Sequence, residues 1–333
     1  MLHRAERVLV AGAGGFIGGH LVRYLTVQGF TAIRAADVVP VARWRQVEPQ
    51  AECLELDLRD RAAAARAVAG CGAVLNLAAD TGGMGFTSRH GAAGMLSAGI
   101  GTALLAAAAE AGVSRYFYAS SAGVYPAGLQ QSADSPGLPE RDAYPAMPGA
   151  GHGWADLFSE RLAMQFQADF GLTARIARLH NVYGPKCAWE GGRERAPAAL
   201  SRKVAEAILA GADEIEIWGD GNQTRTFLHV SDCVHGILLI LEGEVEQPCN
   251  LGSAELVSVN QLVDVIEEIA GVRLKRRYNL AAPAGVRGRT SDNARLRHAF
   301  GWEPSVELRA GMAETYQWVA DQVSARTLTG RRG

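Results

Sequence analysis

An imidazole and a carboxylate, His152 and Asp156, stand four residues apart at the start of a predicted helix that continues to about Phe170. Side chains four residues apart lie on one face of a helix, so the two groups can reach a common point. Together they can ligate a divalent cation: the carboxylate favours Mg²⁺ or Mn²⁺, and the imidazole leaves Zn²⁺ open. They can also form a hydrogen-bonded acid–base pair or remain a solvated pair on the helix surface.

A second candidate site is the glycine-rich turn that follows the apolar segment 8–11. Its three glycines have the spacing GxxGxxG between a predicted strand and a predicted helix. Glycines allow a tight turn and a close backbone approach, and the N-terminus of the helix presents N–H groups to a pyrophosphate. The residues predicted to bind a dinucleotide here are Gly12, Gly15, Phe16, Ile17 and Gly18.

Acidic residues end the next two predicted strands. Asp37 follows the glycines by about twenty residues, where a carboxylate can accept hydrogen bonds from both ribose hydroxyls. Its negative charge would repel a 2′-phosphate, so we expect NAD rather than NADP. Asp57 ends the third strand and is predicted to meet the adenine, with a solvated acid at a strand end as the alternative.

Short apolar runs alternate with helical patterns through the first half of the chain. This alternation is typical of a parallel sheet covered on both faces. The sequence therefore predicts an α/β fold, a Rossmann-type doubly wound parallel sheet with a smaller C-terminal α/β lobe. We expect the dinucleotide-binding domain to span residues 1–183, with 225–252 returning to it. The lobe should span 184–224 and 253–326, with helices near 196–211, 257–270 and 308–324.

The composition excludes several classes of partner. The 333 residues include 33 Lys and Arg against 35 Asp and Glu, a formal charge of −2, so no basic field favours nucleic acid or an anionic membrane. Five scattered cysteines without CxxC spacing indicate reduced thiols, and the first residues lack an apolar signal core, so a cytoplasmic location is expected. The uncharged segment 91–109 is rich in Gly and Ala and is interpreted as a core helix rather than a membrane span.

Several longer motifs lie along most of the chain. They are Asn76-Leu77-Ala78-Ala79, Asp80-Thr81-Gly82-Gly83-Met84-Gly85-Phe86, Phe117-Tyr118-Ala119-Ser120-Ser121-Ala122, His180-Asn181-Val182-Tyr183-Gly184-Pro185, Gly191-Gly192-Arg193-Glu194-Arg195-Ala196-Pro197, Trp218-Gly219-Asp220-Gly221, Arg225-Thr226-Phe227-Leu228-His229-Val230-Ser231-Asp232 and Gly285-Val286-Arg287-Gly288-Arg289. By these motifs the chain resembles the GDP-mannose 3,5-epimerases, extended short-chain dehydrogenases/reductases that act on nucleotide sugars. The resemblance implies that Leu77 and Ala78 contact NAD and, by analogy only, that the protein is a homodimer.

The residues that drive catalysis in that family are replaced in this chain. Family members oxidise the sugar at C4 with bound NAD and exchange protons at C3 and C5, using a Tyr-x-x-x-Lys pair whose positions here hold His152 and Asp156. The family's proton-transferring Cys is Gly123, and its partner Lys is Arg195, whose guanidinium stays charged near neutral pH. A carboxylate at position 156 is expected to raise the pKa of His152 and to repel a forming alkoxide. The resemblance implies a reaction site at His152, Asp156, Ser121 and Arg195 in which sugar oxidation is disfavoured.

The positions that contact the substrate in the family are kept. Arg forks and Lys point charges suit phosphate oxygens. The resemblance implies a GDP-hexose substrate held by Gly82, Asn181, Glu194, Lys203, Gln223, Arg225 and Arg287.

Exchange between the pyranose and furanose rings of a sugar needs no net redox. It also benefits from a cation beside the diphosphate. We therefore expect a metal-assisted, flavin-independent pyranose/furanose mutase of GDP-L-galactose or a related GDP-sugar. Lys203, Arg287 and the metal would stabilise the charge that gathers on the diphosphate. The alternatives are an NAD-dependent epimerase of the GDP-mannose type that uses His152 as base, and a non-catalytic subunit that binds GDP-sugars.

Overall fold

The computed structural model describes residues 2–330. Its strands are β1 (Val8–Ala11), β2 (Ile33–Asp37), β3 (Glu52–Glu55), β4 (Ala73–Asn76), β5 (Arg115–Ser121), β6 (Thr173–Leu179), β7 (Val182–Tyr183), β8 (Glu214–Trp218), β9 (Thr224–Thr226), β10 (Leu228–His229), β11 (Cys249–Leu251), β12 (Leu256–Ser258), β13 (Lys275–Asn279) and β14 (Gly288–Arg289). Its helices are α1 (Phe16–Val27), α2 (Arg61–Val68), α3 (Met84–Thr87), α4 (Gly91–Leu96), α5 (Ala98–Glu110), α6 (Gly151–Phe170), α7 (Ala196–Ala210), α8 (Val230–Glu242), α9 (Val259–Ala270), α10 (Ala294–Phe300) and α11 (Leu308–Gly330).

The main sheet has seven strands in the order β11-β6-β5-β4-β1-β2-β3. All neighbouring pairs are parallel. The chain runs from β1 to β2 and β3 on one side, and then returns to β4 on the other side of β1. The strand order therefore reverses between β1 and β4, and ligands of open α/β sheets bind at the carboxyl ends of such strands. The predicted Rossmann-type fold class is confirmed.

Helices cover both faces of this sheet. Residues Val8–Ala11 and Ala73–Asn76 are buried throughout because each face of the sheet meets a helical layer. Helices α1 and α8 form one layer, and α2, α5 and α6 form the other. The segment Gly91–Glu110 is apolar and long enough to cross a membrane. Its α5 part packs against α2 and α6, however, and so belongs to the core of the fold.

A second apolar core forms the smaller lobe. Helices α7, α9 and α11 pack together there. The parallel pair β8–β13 and the three-stranded sheet β12-β9-β14 accompany them. The chain returns to the main sheet at β11, which pairs with β6, while β10 and β7 form a separate two-stranded sheet.

The predicted helices of the lobe differ from the observed ones mainly at their ends. Helices α7 and α9 stop before Gly211 and Gly271, whose φ angles of 64° and 68° are the left-handed conformation in which helices commonly end. Helix α9 begins after Ser258, which forms a capping box with Gln261, two residues later than predicted. The segment 91–109, interpreted from the sequence as one core helix, is divided at Ser97 into α4 and α5.

Candidate active site

The glycine-rich turn closes against the loop that follows β4. Gly12 has a φ of 83°, and a Cβ atom there would lie 2.8 Å from backbone atoms of Leu77 and Ala78. A Cβ on Gly18 would overlap the Gly12 carbonyl. Helix α1 starts after Gly15 with no side-chain cap, so its first N–H groups remain available to a ligand. Phe16 and Ile17 form that first turn.

Asp37 lies next to this glycine-rich turn. Its carboxylate accepts hydrogen bonds from the backbone N–H groups of Gly14 and Val39, both at 3.0 Å. The donor set fits NAD, with backbone N–H groups for the pyrophosphate and a fixed carboxylate for the adenosine ribose. Asp57 differs because Arg59 binds both of its carboxylate oxygens, and its contact with an adenine stays a prediction.

Asp156 is held at the carboxyl end of β5. Its Oδ2 accepts a hydrogen bond of 2.6 Å from the Ser121 hydroxyl, and its Oδ1 accepts one of 2.9 Å from the Tyr118 hydroxyl. Ser121 in turn accepts a hydrogen bond from the N–H of Gly123 at 3.0 Å. Burial raises the pKa of Asp156 to about 6, although the two hydroxyl donors oppose the shift. The carboxyl group can therefore change its charge near neutral pH.

The His152 imidazole, like the Ser121 hydroxyl, lies close to Gly123. A Cβ atom added to Gly123 would be 2.6 Å from His152 Nε2 and 2.9 Å from Ser121 Oγ. His152 and Asp156 thus border the same small region, as the helical spacing predicted. Burial lowers the pKa of His152, and the charges of Arg195 and Arg289 lower it further. The expectation that Asp156 raises the pKa of His152 is therefore wrong: the carboxyl group is directed to Tyr118 and Ser121, and the neighbours that act on the imidazole are cations.

The close contact between His152 and position 123 gives a testable prediction. Gly123→Ala should destabilise the protein by about 1–3 kcal/mol, because the new methyl group must displace the imidazole or the backbone. In the His152→Ala background the same change should cost much less, since the space is then free. Urea unfolding of the four proteins in this cycle measures the difference. Gly128→Ala is the matched control because a Cβ there has no atom within 4 Å; an equal cost of Gly123→Ala in both backgrounds would refute the contact.

A metal site would have to be completed from outside the chain. Within residues 2–330, no three His, Cys, Asp or Glu side chains are grouped so that they could hold a metal ion. His152 and Asp156 would supply two ligands at most, with substrate oxygens or water as the others. Metal binding at His152 and Asp156 stays a prediction.

Two cations predicted to bind the diphosphate already have partners in the protein. The Arg287 guanidinium lies 2.7 Å from the nearest carboxylate oxygen of Asp220. Lys203 Nζ donates to the carbonyl of Glu216 at 2.8 Å and lies 3.6 Å from its carboxylate. Any role toward phosphate would require these two side chains to share or change partners.

Arg225 binds backbone carbonyls instead of a carboxylate. Its terminal nitrogens donate to the carbonyl oxygens of Thr224 and Val286, both at 2.6 Å. Burial lowers its pKa to about 10. The side chain therefore joins β9 to the segment before β14.

Two of the other predicted substrate residues each have one buried polar atom without a partner in residues 2–330. Gln223 Oε1 and Glu194 Oε2 are buried and have no hydrogen-bond partner within the described chain. Asn181 has a φ of 44° and donates to the Thr226 carbonyl at 2.9 Å. Gly82 lies so close to Phe86 that a Cβ there would come within 2.9 Å of the Phe86 side chain. Buried acceptors without donors are typical of sites that a ligand completes.

A small cleft opens beside His152. The residues lining it are Asp80, Thr81, Phe86, Thr87, His90, Gly91, Gly94 and His152. Arg193 contacts two of these residues, since its guanidinium lies 3.8 Å from the centre of the Phe86 ring and 2.6 Å from the Asp80 carboxylate.

Sequence reasoning did not select two residues of this site. Tyr118 lies inside a quoted motif, but nothing in the sequence predicts that its hydroxyl binds Asp156. Arg289 is the second arginine of the motif that supplied Arg287, and its charge contributes to the lowered pKa of His152. The second arginine of this Arg-Gly-Arg sequence was the feature that could have identified Arg289 as a candidate.

The parallel sheet, the glycine-rich turn and Asp37 define a dinucleotide-binding enzyme fold, with a polar site at the carboxyl ends of β4 and β5. The chain belongs to the NAD dependent epimerase/dehydratase family, whose model matches residues 8–252. As predicted, the protein is an enzyme that binds NAD. When bound, NAD supplies a hydride acceptor at such a site.

Relatives cover nearly the whole chain. GDP-mannose 3,5-epimerase 1 of Oryza sativa subsp. japonica is 39% identical, over 97% of this chain and 84% of that protein. GDP-mannose 3,5-epimerase of Arabidopsis thaliana is 38% identical, over 97% and 85%. The predicted resemblance is confirmed. Among solved structures, UDP-glucose 4-epimerase of Thermotoga maritima with UDP-glucose has a TM-score of 0.84 and 25% identity, covering 95% of this chain and 99% of that one.

Proposed function

We propose that the protein is a GDP-hexose isomerase that works without net oxidation of the sugar, in its most specific form a pyranose/furanose mutase of GDP-L-galactose or a related GDP-sugar. The similarity to GDP-mannose 3,5-epimerases supports a GDP-sugar substrate. The observation that carries the proposal is the Asp156 carboxyl group, bound by Ser121 and Tyr118 at the position where the family has its lysine.

The charge at position 156 disfavours oxidation. Removal of a hydride from a sugar carbon requires the hydroxyl on that carbon to lose its proton, and a nearby cation stabilises the resulting negative charge. An ionised carboxyl group has the opposite effect on a forming alkoxide. The isomerisation that fits this site therefore moves bonds and protons and leaves the oxidation state of the sugar unchanged.

Pyranose/furanose ring exchange leaves the oxidation state of the sugar unchanged, and the bonds and protons of the reaction balance. The bond between C1 and the diphosphate breaks and O4 bonds to C1; the bond between C1 and O5 then breaks as the diphosphate bonds to C1 again. One proton leaves O4 and one arrives at O5. A neutral imidazole can carry this proton, and the lowered pKa of His152 favours its neutral form.

A divalent metal ion, Mg²⁺, Mn²⁺ or Zn²⁺, would assist by stabilising the departing diphosphate. The chain offers His152 and Asp156 as its ligands. The arginines beside His152 offer a metal-free source of the same positive charge. Activity that stops with EDTA and returns with Mn²⁺ would support metal assistance. Activity that is unchanged by the chelator would exclude it.

Product analysis tests the proposal. We expect NMR of the product from GDP-L-galactose to show a furanose ring, with no nicotinamide reduction during turnover and no deuterium at C3 or C5 in D₂O. NADH formation during turnover would contradict the redox-free reaction.

The second candidate is an NAD-dependent epimerase of the GDP-mannose type with His152 as base. The enclosed neutral imidazole beside Ser121 favours it. Deuterium incorporated at C3 or C5 of GDP-mannose in D₂O would support this candidate, and its absence would remove it.

A further inference from the structure

The loop that follows β4 rests against the segment that precedes α7. Residues 80–90 are called the β4 loop here, and residues 191–195 the lobe segment. The backbone N–H of Gly83 donates to the carbonyl of Arg193 at 3.0 Å, and a Cβ atom on Gly83 would overlap the Glu194 carbonyl. The main chains of the two segments are therefore in direct contact.

One side chain of the lobe segment adds three contacts with the β4 loop. The Arg193 guanidinium donates to the Asp80 carboxylate at 2.6 Å and to the Thr81 carbonyl at 3.0 Å. It also lies 3.8 Å from the centre of the Phe86 ring, where a cation is attracted to the aromatic face. The two charged side chains are 44% and 48% exposed, so their ion pair adds at most about 1 kcal/mol to global stability. The main effect of these contacts is therefore on the local order of the β4 loop.

The β4 loop forms a wall of the cleft beside His152. The Phe86 ring is stacked on the His90 imidazole, with 4.5 Å between ring centres and 13° between the ring planes. His90 Nδ1 donates to the Phe86 carbonyl at 3.0 Å, which leaves Nε2 as an acceptor in the neutral imidazole. Asp80, Phe86, His90 and His152 all line the cleft. The wall that Arg193 contacts thus presents hydrogen-bond acceptors, which suit the hydroxyl groups of a sugar.

The end of the β4 loop leads directly to the start of α6. Helix α4 follows the loop, and glycines allow it to approach α6 closely. A Cβ atom on Gly151 would lie 2.8 Å from the Gly91 carbonyl oxygen, and one on Gly94 would lie 3.1 Å from His152 Cβ. A continuous series of contacts therefore runs from Arg193 through the β4 loop and α4 to His152.

We propose that Arg193 is a positioning residue that sets the shape of the cleft around His152 by holding the β4 loop against the lobe segment. Its charge is taken up by Asp80, so it acts through the loop and not on the ligand. The ligand of the cleft is the sugar part of a nucleotide sugar, a choice that rests on the proposed function. The lining that the described residues give this cleft does not include Lys203 or Arg287, so the nucleotide contacts predicted for them are separate.

Amide hydrogen exchange of the purified full chain tests the hold on the β4 loop without any substrate. In Arg193→Gln we expect the amides of residues 81–90 to exchange about 10-fold faster, because the loss of a charged hydrogen bond favours local opening. The urea midpoint should change no more than in the control Arg309→Gln, which loses an exposed ion pair with Glu268. Arg193→Lys keeps the charge but not the planar group, so its exchange should be intermediate.

Ligand binding and turnover test whether the loop positions the sugar. We expect calorimetry to show that Arg193→Gln binds GDP-mannose about 10-fold more weakly, with GDP binding unchanged. Turnover of GDP-L-galactose should fall by about 10- to 100-fold, because a small misplacement of a reacting group is costly. Arg193→Lys should recover part of both losses.

These results separate positioning by Arg193 from a general effect on the fold. Faster exchange in the β4 loop, together with losses confined to GDP-mannose and turnover, supports the positioning role. Exchange no faster than in Arg309→Gln would overturn it, and so would equal weakening of GDP and GDP-mannose, or unchanged binding and turnover. If the unmodified protein binds neither guanosine compound, the proposed substrate class fails, and the exchange rates alone then decide for or against the role of Arg193.

Discussion

Asp156→Asn should nearly abolish isomerase activity while making the protein more stable at pH 7. Activity should fall by about 10²- to 10⁴-fold, the usual cost of removing a group that moves or stabilises protons in a site. The amide is nearly the same size as the carboxyl group and can still accept a hydrogen bond from Tyr118 or Ser121. Folding and NAD binding should therefore survive, and the loss should appear in turnover.

The gain in stability follows from the direction of the pKa shift. The pKa of Asp156 is raised from its usual 3.8 to about 6 in the folded protein, so the folded state binds the proton more tightly than the unfolded chain does. Above pH 6 the ionised carboxyl group therefore destabilises the fold, by at most about 3 kcal/mol. The uncharged amide avoids this cost.

The pH dependence separates this explanation from a general packing effect. The stabilisation by Asp156→Asn should be complete above about pH 6, shrink between pH 6 and 3.8, and vanish below that, where the carboxyl group is protonated in both states. Urea unfolding at several pH values measures it, with the exposed Asp134→Asn as control. A stabilisation that is independent of pH would contradict the shifted pKa.

The sequence predicts the dinucleotide end of this fold well because its constraints are local. Gly12 must adopt a positive φ and pass close to the loop after β4, and only glycine allows both. Asp37 follows directly from the length of one strand–helix–strand unit. Such features depend on residues near in sequence, so motif spacing specifies them.

The chemistry of His152 and Asp156 was less predictable. The helical spacing correctly placed them around one region, but the sequence could not show that Asp156 is bound by Tyr118 and Ser121. The effect of Arg289 on His152 comes from a strand more than one hundred residues away. Electrostatic environments of this kind depend on tertiary packing, and a residue pattern within one helix does not contain them.

The same limit applies to the predicted phosphate contacts. The family resemblance selected Arg287, whose residue type suits a phosphate oxygen, yet Asp220 neutralises it in the structure. Arg289, two residues later, has no such partner among the described residues. Residue type identifies a possible cation, but the distribution of carboxylates around it decides whether its charge is available to a ligand.

Glu160→Gln should destabilise the protein by about 3–5 kcal/mol, the cost of removing one partner from a buried ion pair. Glu160 lies 2.7 Å from Arg178, and the two side chains are only 1% and 2% exposed. The change leaves the buried Arg178 charge without a carboxylate, and it weakens the 2.6 Å hydrogen bond from Ser120. Urea unfolding at pH 7 measures the loss. Glu268→Gln, which breaks an exposed ion pair with Arg309, should cost at most about 1 kcal/mol.

The double variant Glu160→Leu with Arg178→Met tests whether the loss comes from an unpaired charge. Apolar side chains of similar size remove both charges together, so most of the stability should return. Helix α6 carries both Glu160 and Asp156, and the charge of Glu160 contributes to the raised pKa of Asp156. The double variant should therefore also lower the apparent pKa of Asp156, seen as a pH–activity profile displaced to lower pH. A double variant as unstable as Glu160→Gln would show that the pair acts through its shape and hydrogen bonds rather than through its charge.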